Sequence, residues 1–182
     1  MTAKIFIETK RLLLREWQPA DHAVYIEMNR DASVMEFFPS ILTPEQSLQH
    51  IVRITELINH EGYGLFAVER KEDGAFIGFT GFALPRFEAS FTPCVEIGWR
   101  IASKFWNKGY ATEAAKACLE FGFTIMKWKD IYSFTSVLNT RSESVMQKIG
   151  MQKEGEFDHP LLETGHRLQK HVLYKISQEN AL

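Results

Sequence analysis

Three short stretches carry residue types whose spacing could do chemistry. The first is Val95-Glu96-Ile97-Gly98-Trp99-Arg100-Ile101. At the two-residue period of a strand, Glu96, Gly98 and Arg100 share one side and Val95, Ile97, Trp99 and Ile101 the other. A carboxylate mid-way along an inner strand is costly unless it is paired or used. Glu96 is therefore a candidate general base, and Gly98 beside it leaves room for a substrate. The plainer alternative is a carboxylate bonded to a neighbouring strand or to Arg100.

The second stretch is Phe105-Trp106-Asn107-Lys108-Gly109-Tyr110-Ala111-Thr112-Glu113-Ala114. Here a strand feeds a loop whose Gly109 opens a helix. Helix N-termini present free N–H groups and a partial positive charge, so they hold anions. Gly109 and Ala111 keep side chains clear of an approaching phosphate, and Lys108 adds charge. A tight strand–helix connection built for packing would look the same. No Gly-Lys-Ser/Thr run makes it a Walker loop, and the three-glycine dinucleotide pattern is absent. The third stretch begins at Asn139: Asn139-Thr140-Arg141-Ser142-Glu143-Ser144-Val145-Met146-Gln147-Lys148-Ile149-Gly150. Asn139 and Ser142 stand at a helix start, where either could simply stabilise the first turn.

The elements that must position these residues follow from pattern. A first strand is expected over residues 12–17, broken by Pro19, with Asp21 capping a short helix. Thr43-Pro44-Glu45-Gln46 is a capping box with Pro at the first helical position. Leu48, Ile51, Val52, Thr55 and Ile58 then form the expected apolar face. Strands at 65–70 and 76–84 are joined by a turn ending in Asp73-Gly74. A strand at 95–101 precedes a helix from about Tyr110, whose small face of Ala111, Ala114, Ala115, Cys118, Gly122 and Ile125 lets it lie close to a sheet. Glu113 and Lys116 are expected on its solvated side. A strand at 131–137, a helix at 142–149 closed by Gly150, and strands at 151–156 and 168–176 complete the chain. This is a mixed α/β arrangement, not a doubly wound parallel one.

Composition narrows the function classes. The 182 residues carry 21 Lys+Arg and 23 Asp+Glu, a net charge of −2, so no basic excess exists to neutralise nucleic-acid phosphates. The length suits one domain over residues 1–182. Two cysteines, Cys94 and Cys118, imply no disulfide framework and suit a reducing cytoplasm. No apolar run reaches the roughly 18 residues of a membrane span, and the charged first 14 residues do not read as a signal peptide. His159, His166 and His171 fit no common zinc spacing, so no metal is expected; lining a substrate mouth is their alternative to ordinary loop roles. Phe37-Phe38-Pro39 is expected to pack, with an aromatic lip as the alternative.

Taken in order, the second and third stretches resemble the GNAT superfamily of N-acetyltransferases, and within it the RimJ/RimL branch. So do Glu8-Thr9-Lys10-Arg11-Leu12-Leu13-Leu14-Arg15-Glu16-Trp17 and Phe76-Ile77-Gly78-Phe79-Thr80-Gly81. The resemblance implies a single-domain α/β fold: a mostly antiparallel twisted sheet with one splayed parallel strand pair, flanked by helices. It implies acetyl-CoA as cosubstrate, bound where strands 95–101 and 131–137 part. The pantetheine arm would pair with Trp99, Arg100 and Ile101. The pyrophosphate would rest on Asn107, Lys108, Gly109, Tyr110, Ala111 and Thr112, and Asn139 would hold the arm. Trp106 stands where the superfamily carries Gln or Arg, and Asn107 replaces a frequent glycine, tolerably because Asn accepts left-handed backbone. Met146 occupies the position of a frequent tyrosine acid, and a thioether donates no proton. Ser142 takes the place that some members of the branch use instead. The implied reaction is direct transfer to an amine, with Glu96 as base, a backbone N–H near Ile101 for the oxyanion, and Ser142 or solvent protonating the thiolate. The acceptor would be a protein N-terminal amine, or alternatively a small amine; a non-catalytic acyl-CoA-binding module is the rival reading. A monomer or homodimer without membrane or nucleic-acid partners is expected.

Overall fold

The computed structural model describes residues 3–180. Among them run β1 (Ile5–Glu8), β2 (Leu12–Arg15), α1 (Asp21–Arg30), α2 (Pro44–Glu61), β3 (Leu65–Arg70), β4 (Ala75–Ala83), β5 (Glu96–Ile101), α3 (Tyr110–Thr124), β6 (Asp130–Ser136), α4 (Thr140–Lys148), β7 (Gln152–Asp158) and β8 (Lys170–Ser177). The strands form one mixed sheet in the order β1-β2-β3-β4-β5-β6-β8-β7. Every neighbouring pair is antiparallel except β5–β6. That parallel pair meets at a single register, Glu96 with Tyr132, so the sheet is open beyond it. No helix is long and apolar enough to cross a membrane among the described residues.

The expected α/β fold with one parallel pair is present, and the local departures have physical causes. β1 was not anticipated: its four residues include only two partly buried apolar ones, Phe6 and Ile7, which is too little pattern to see in sequence. β2 ends at Arg15, two residues short of the expected bound, and Trp17 beyond it donates its indole N–H to the Leu65 carbonyl at 2.7 Å. Asp21 does not cap α1. It lies buried at the first helical position and accepts one hydrogen bond from each terminal nitrogen of the Arg15 guanidinium, at 2.8 and 2.9 Å. The α2 capping box has both arms, Gln46 N–H to Thr43 Oγ1 at 3.2 Å and Thr43 N–H to Gln46 Oε1 at 2.8 Å. The buried face of α2 is rotated from the expected one. It comprises Ser47, Ile51, Ile54 and Ile58, while Leu48 and Val52 are exposed. The rotation puts a polar residue, Ser47, inside, where it serves Asn29 (below).

On the other side of the sheet, α3 packs as closely as its small residues predict. A Cβ at Gly122 would lie 2.8 Å from Ile131 Cδ1 and 3.2 Å from Phe82. Ile125, expected on this face, is instead exposed, and Tyr110, Leu119 and Phe123 are buried with Ala114, Ala115 and Cys118. Fully burying side chains such as Phe82, Ile97 and Ile131, all at 0% exposure, stabilises by about 1.5–3 kcal/mol each. That anchors β5 and β6 at their shared end and fixes where they part. α4 starts two residues earlier than expected, because Asn139 rather than Ser142 caps it.

Candidate active site

A cavity of about 830 Å³ opens where β5 and β6 part. It runs from the α1–α2 connection, past β5, to the starts of α3 and α4.

The hydrogen-bond alternation of β5 determines what its backbone offers. Ala102 N–H bonds the Ile77 carbonyl at 2.9 Å, in register with Ile101 opposite Gly78. Even-numbered residues therefore bond β4, and Ile97, Trp99 and Ile101 turn their amides toward β6. β6 pairs only at Tyr132, and the Ile97 carbonyl accepts the buried Ser133 hydroxyl at 2.9 Å. The Ile101 carbonyl accepts the Trp106 indole N–H at 2.6 Å. What remains on the open edge is Trp99 and the Ile101 N–H. Arg100, expected to serve the same arm, has its backbone on the β4 side and its side chain toward α1 and α2.

The loop before α3 is a cradle of free amides. Asn107 and Gly109 both adopt left-handed backbone, φ 60° and 79°, which turns successive N–H groups inward. The N–H groups of Asn107, Lys108, Gly109, Tyr110, Ala111 and Thr112 donate to no acceptor among the described residues. Among the described residues no side chain caps α3, which leaves its positive dipole end open to an anion. Arg11 holds this loop from outside. Its Nη1 donates to the Lys108 carbonyl at 2.9 Å, its Nε to Glu113 at 2.6 Å, and it lies 4.6 Å over the Tyr110 ring. Glu113 is thus not a solvated residue. Burial raises its pKa, but the hydrogen bonds from Thr9 and Arg11 outweigh this and hold its carboxyl below the usual value.

Glu96 stands at the first residue of β5, not mid-strand, and lines the cavity. Its carboxylate has no hydrogen bond or ion pair among the described residues, so neither plain pairing expected for it is realised. Burial pushes its carboxyl up to about 8. A Cβ built on Gly98 would meet nothing within 4 Å, so the cavity is open directly beside the acid. Cys94, pushed up to about 11 by burial and then by the Glu96 charge, is no nucleophile.

Across the gap, Met146 is buried and lines the cavity, as does Ser142. The Asn139 side chain is fully used in organising α4. Its Oδ1 accepts Ser142 N–H at 3.2 Å, and its Nδ2 reaches Thr135 Oγ1 and Ser142 Oγ, both at 3.0 Å. Ser142 Oγ is an acceptor in that bond, so its own proton is free for the cavity. If Ser142 is the acid, Ser142→Ala should lower turnover near the bottom of the usual range for a general acid, about 10²-fold. The melting temperature should change little, because Asn139 keeps the cap. A drop in melting temperature with unaltered turnover would make Ser142 structural.

The wall formed by α1 and α2 was not seen in the sequence. Asn29, fully buried, accepts Arg100 Nη1 at 2.6 Å and donates to Ser47 Oγ at 3.0 Å. Next to them the Tyr25 hydroxyl bonds His50 Nδ1. Burial, then Arg100 and Arg53, push His50 down to about 4, so it is neutral. Nothing in the spacing of Asn29, Ser47 and His50 marks them, and the apolar pattern of α2 points its face away from the last two. Phe37, Phe38 and Pro39 do line the cavity. So do His159 and His171, with ring centroids 4.8 Å apart, whereas His166 bonds Leu168 N–H.

Residues 11–152 match the family model described as an acetyltransferase (GNAT) domain. The chain is 36% identical to an uncharacterized N-acetyltransferase, YnaD, of Bacillus subtilis over 83% of this chain and 85% of that one. An acetyltransferase (GNAT family) from Bacillus anthracis superposes with a TM-score of 0.79 at 31% identity, covering 96% of this chain and 99% of the other. The fold is also that of a spermidine N-acetyltransferase from Vibrio cholerae solved with CoA and spermine: TM-score 0.75, 20% identity, 95% and 99% covered.

Proposed function

The chain belongs to the GNAT family of acetyltransferases, and from that premise we propose how, and on what, its acetyl-CoA-dependent N-acetyl transfer acts. The pyrophosphate of acetyl-CoA rests on the amides of residues 107–112. The pantetheine arm takes the strand place that β6 leaves open, along Trp99 and Ile101. This puts the thioester over Gly98, where the cavity is empty of side chains.

A neutral primary amine attacks the thioester carbon; the tetrahedral oxyanion takes the Trp99 N–H, the open-edge amide next to Gly98. Glu96 accepts the amine proton, directly or through a water. As the C–S bond breaks, Ser142 gives its proton to the thiolate and recovers one from water, and Glu96 returns the amine proton to solvent. The observation that carries this reading is Glu96: an unpartnered carboxylate with a raised pKa opening on the same cavity as six free amides. A binding module has no use for it.

The motif order favours the RimJ/RimL branch, and with it a peptide or protein N-terminal amine as acceptor. Phe38 and Leu161 line the cavity while 37% and 71% exposed, and so offer apolar contact to the residues that follow such an amine. A polyamine suits the cavity poorly: among the described lining residues Glu96 is the one carboxylate, and the Arg100 guanidinium faces the same space. Thiol release from acetyl-CoA, measured with a panel of N-terminal peptides, small amines and polyamines, tests the proposal. Release with peptides and not with polyamines is expected. Release with polyamines alone would overturn the acceptor class, and release with none the transfer itself.

A further inference from the structure

We propose that the acceptor carries an anionic group of the carboxylate class, several bonds from its amine, and that the Arg100 guanidinium binds it. This rests on the reading of the cavity as the transfer site.

Arg100 lines the cavity on the same side of β5 as Glu96 and Gly98. Among the described residues its partners are dipoles and rings, and no carboxylate bonds or pairs with it. Nη1 donates to Asn29 Oδ1, and the guanidinium lies 4.0 Å from the Phe38 ring centroid and 5.3 Å from that of Phe79. Nε is sealed from solvent with no partner, and Nη2 makes no hydrogen bond among the described residues. The cavity's other arginine, Arg141, pairs with Glu36 at 2.7 Å; Arg100 takes part in no ion pair among the described residues.

An arginine cannot shed its charge, and a partly buried cation without a counter-ion is costly. The neighbours do not offset that cost. His50 is neutral, and Glu96 stands four strand residues away, about 13 Å between Cα atoms. The Asn29–Ser47 pair instead holds the guanidinium in place. A fixed, uncompensated guanidinium on a cavity wall is a site for a carboxylate. The distance from Glu96 makes the acceptor long: an acidic side chain near a peptide N-terminus, or an ω-amino acid.

The wild-type protein provides the test, with matched acceptors. One arm uses N-terminal peptides carrying Asp or Asn at the second or third position. The other uses ω-amino acids of increasing length and their amides. In each arm we expect the acid to exceed the amide by about 10- to 100-fold in kcat/KM, mostly through KM, as for hydrogen bonds to a charged group. Preference in one arm alone identifies the source of the carboxylate. Arg100→Gln should bring the ratio close to one. Equal kcat/KM for acid and amide in both arms, with thiol release intact, overturns the proposal and leaves the transfer reading standing. No release with any amine overturns both.

Discussion

Glu96→Gln is expected to lower turnover by about 10²- to 10⁴-fold while acetyl-CoA binds almost unchanged, because the carboxylate faces the acceptor rather than the amide cradle. The same change should raise the melting temperature in alkaline solution. The folded-state pKa of Glu96, about 8, lies above its ordinary value of 4.5, so the fold favours the protonated carboxyl. That stabilisation is complete below about pH 4.5 and is lost as pH rises to about 8. Glutamine mimics the neutral form throughout. The variant's advantage in melting temperature should therefore grow across this window and be full above it. Lower activity with higher stability is the mark of a group kept for chemistry. Undiminished activity across the pH range removes Glu96 from the mechanism, whatever the melting curve does.

Gly109→Glu is expected to weaken acetyl-CoA binding by roughly 30-fold. The new side chain starts on the face of the loop that Arg11 braces from outside, and its charge acts on the pyrophosphate through the loop. Two unit charges about 8 Å apart at an effective dielectric near 20 repel by about 2 kcal/mol. Gly109→Ala separates charge from backbone. It carries the same strain at φ 79°, about 1–2 kcal/mol, and the same Cβ 3.5 Å from Arg11 Nη2, but no charge. Calorimetry should show the Ala variant binding well above the Glu variant. If folded Gly109→Glu binds as wild type does, the cosubstrate sits elsewhere.

The parts of this molecule legible in its sequence are those where one residue's local physics decides. Thr43 and Gln46 announce the α2 capping box, Asp73-Gly74 a hairpin, and Gly109 a helix start with open amides. The alternation around Glu96 places it correctly toward the cavity. The illegible parts depend on partners distant in sequence. Arg100 reads as a strand residue near an acyl arm until the register with β4 shows its backbone spent and its side chain against Asn29, 71 residues away. Glu113 reads as solvated because nothing local shows that Thr9 and Arg11 fold over it. On α2 the apolar pattern favours Leu48 and Val52 over Ser47 and Ile54, because hydrophobicity alone cannot show that a buried serine is satisfied by Asn29. Asn139 carries both signals at once, a cap and a ligand contact, and its geometry spends the side chain on the cap.

The role of Glu96 is tested most directly by the pH dependence of turnover at saturating acetyl-CoA. The acceptor should be an amine weakly basic enough to stay neutral throughout, so that only the protein titrates. Turnover should rise with pH through about 8, the raised value for Glu96, reach a plateau, and lose that rise in Glu96→Gln. A wild-type profile that stays flat through this range, or a rise that survives in Glu96→Gln, would contradict Glu96 as the base that accepts the acceptor's proton.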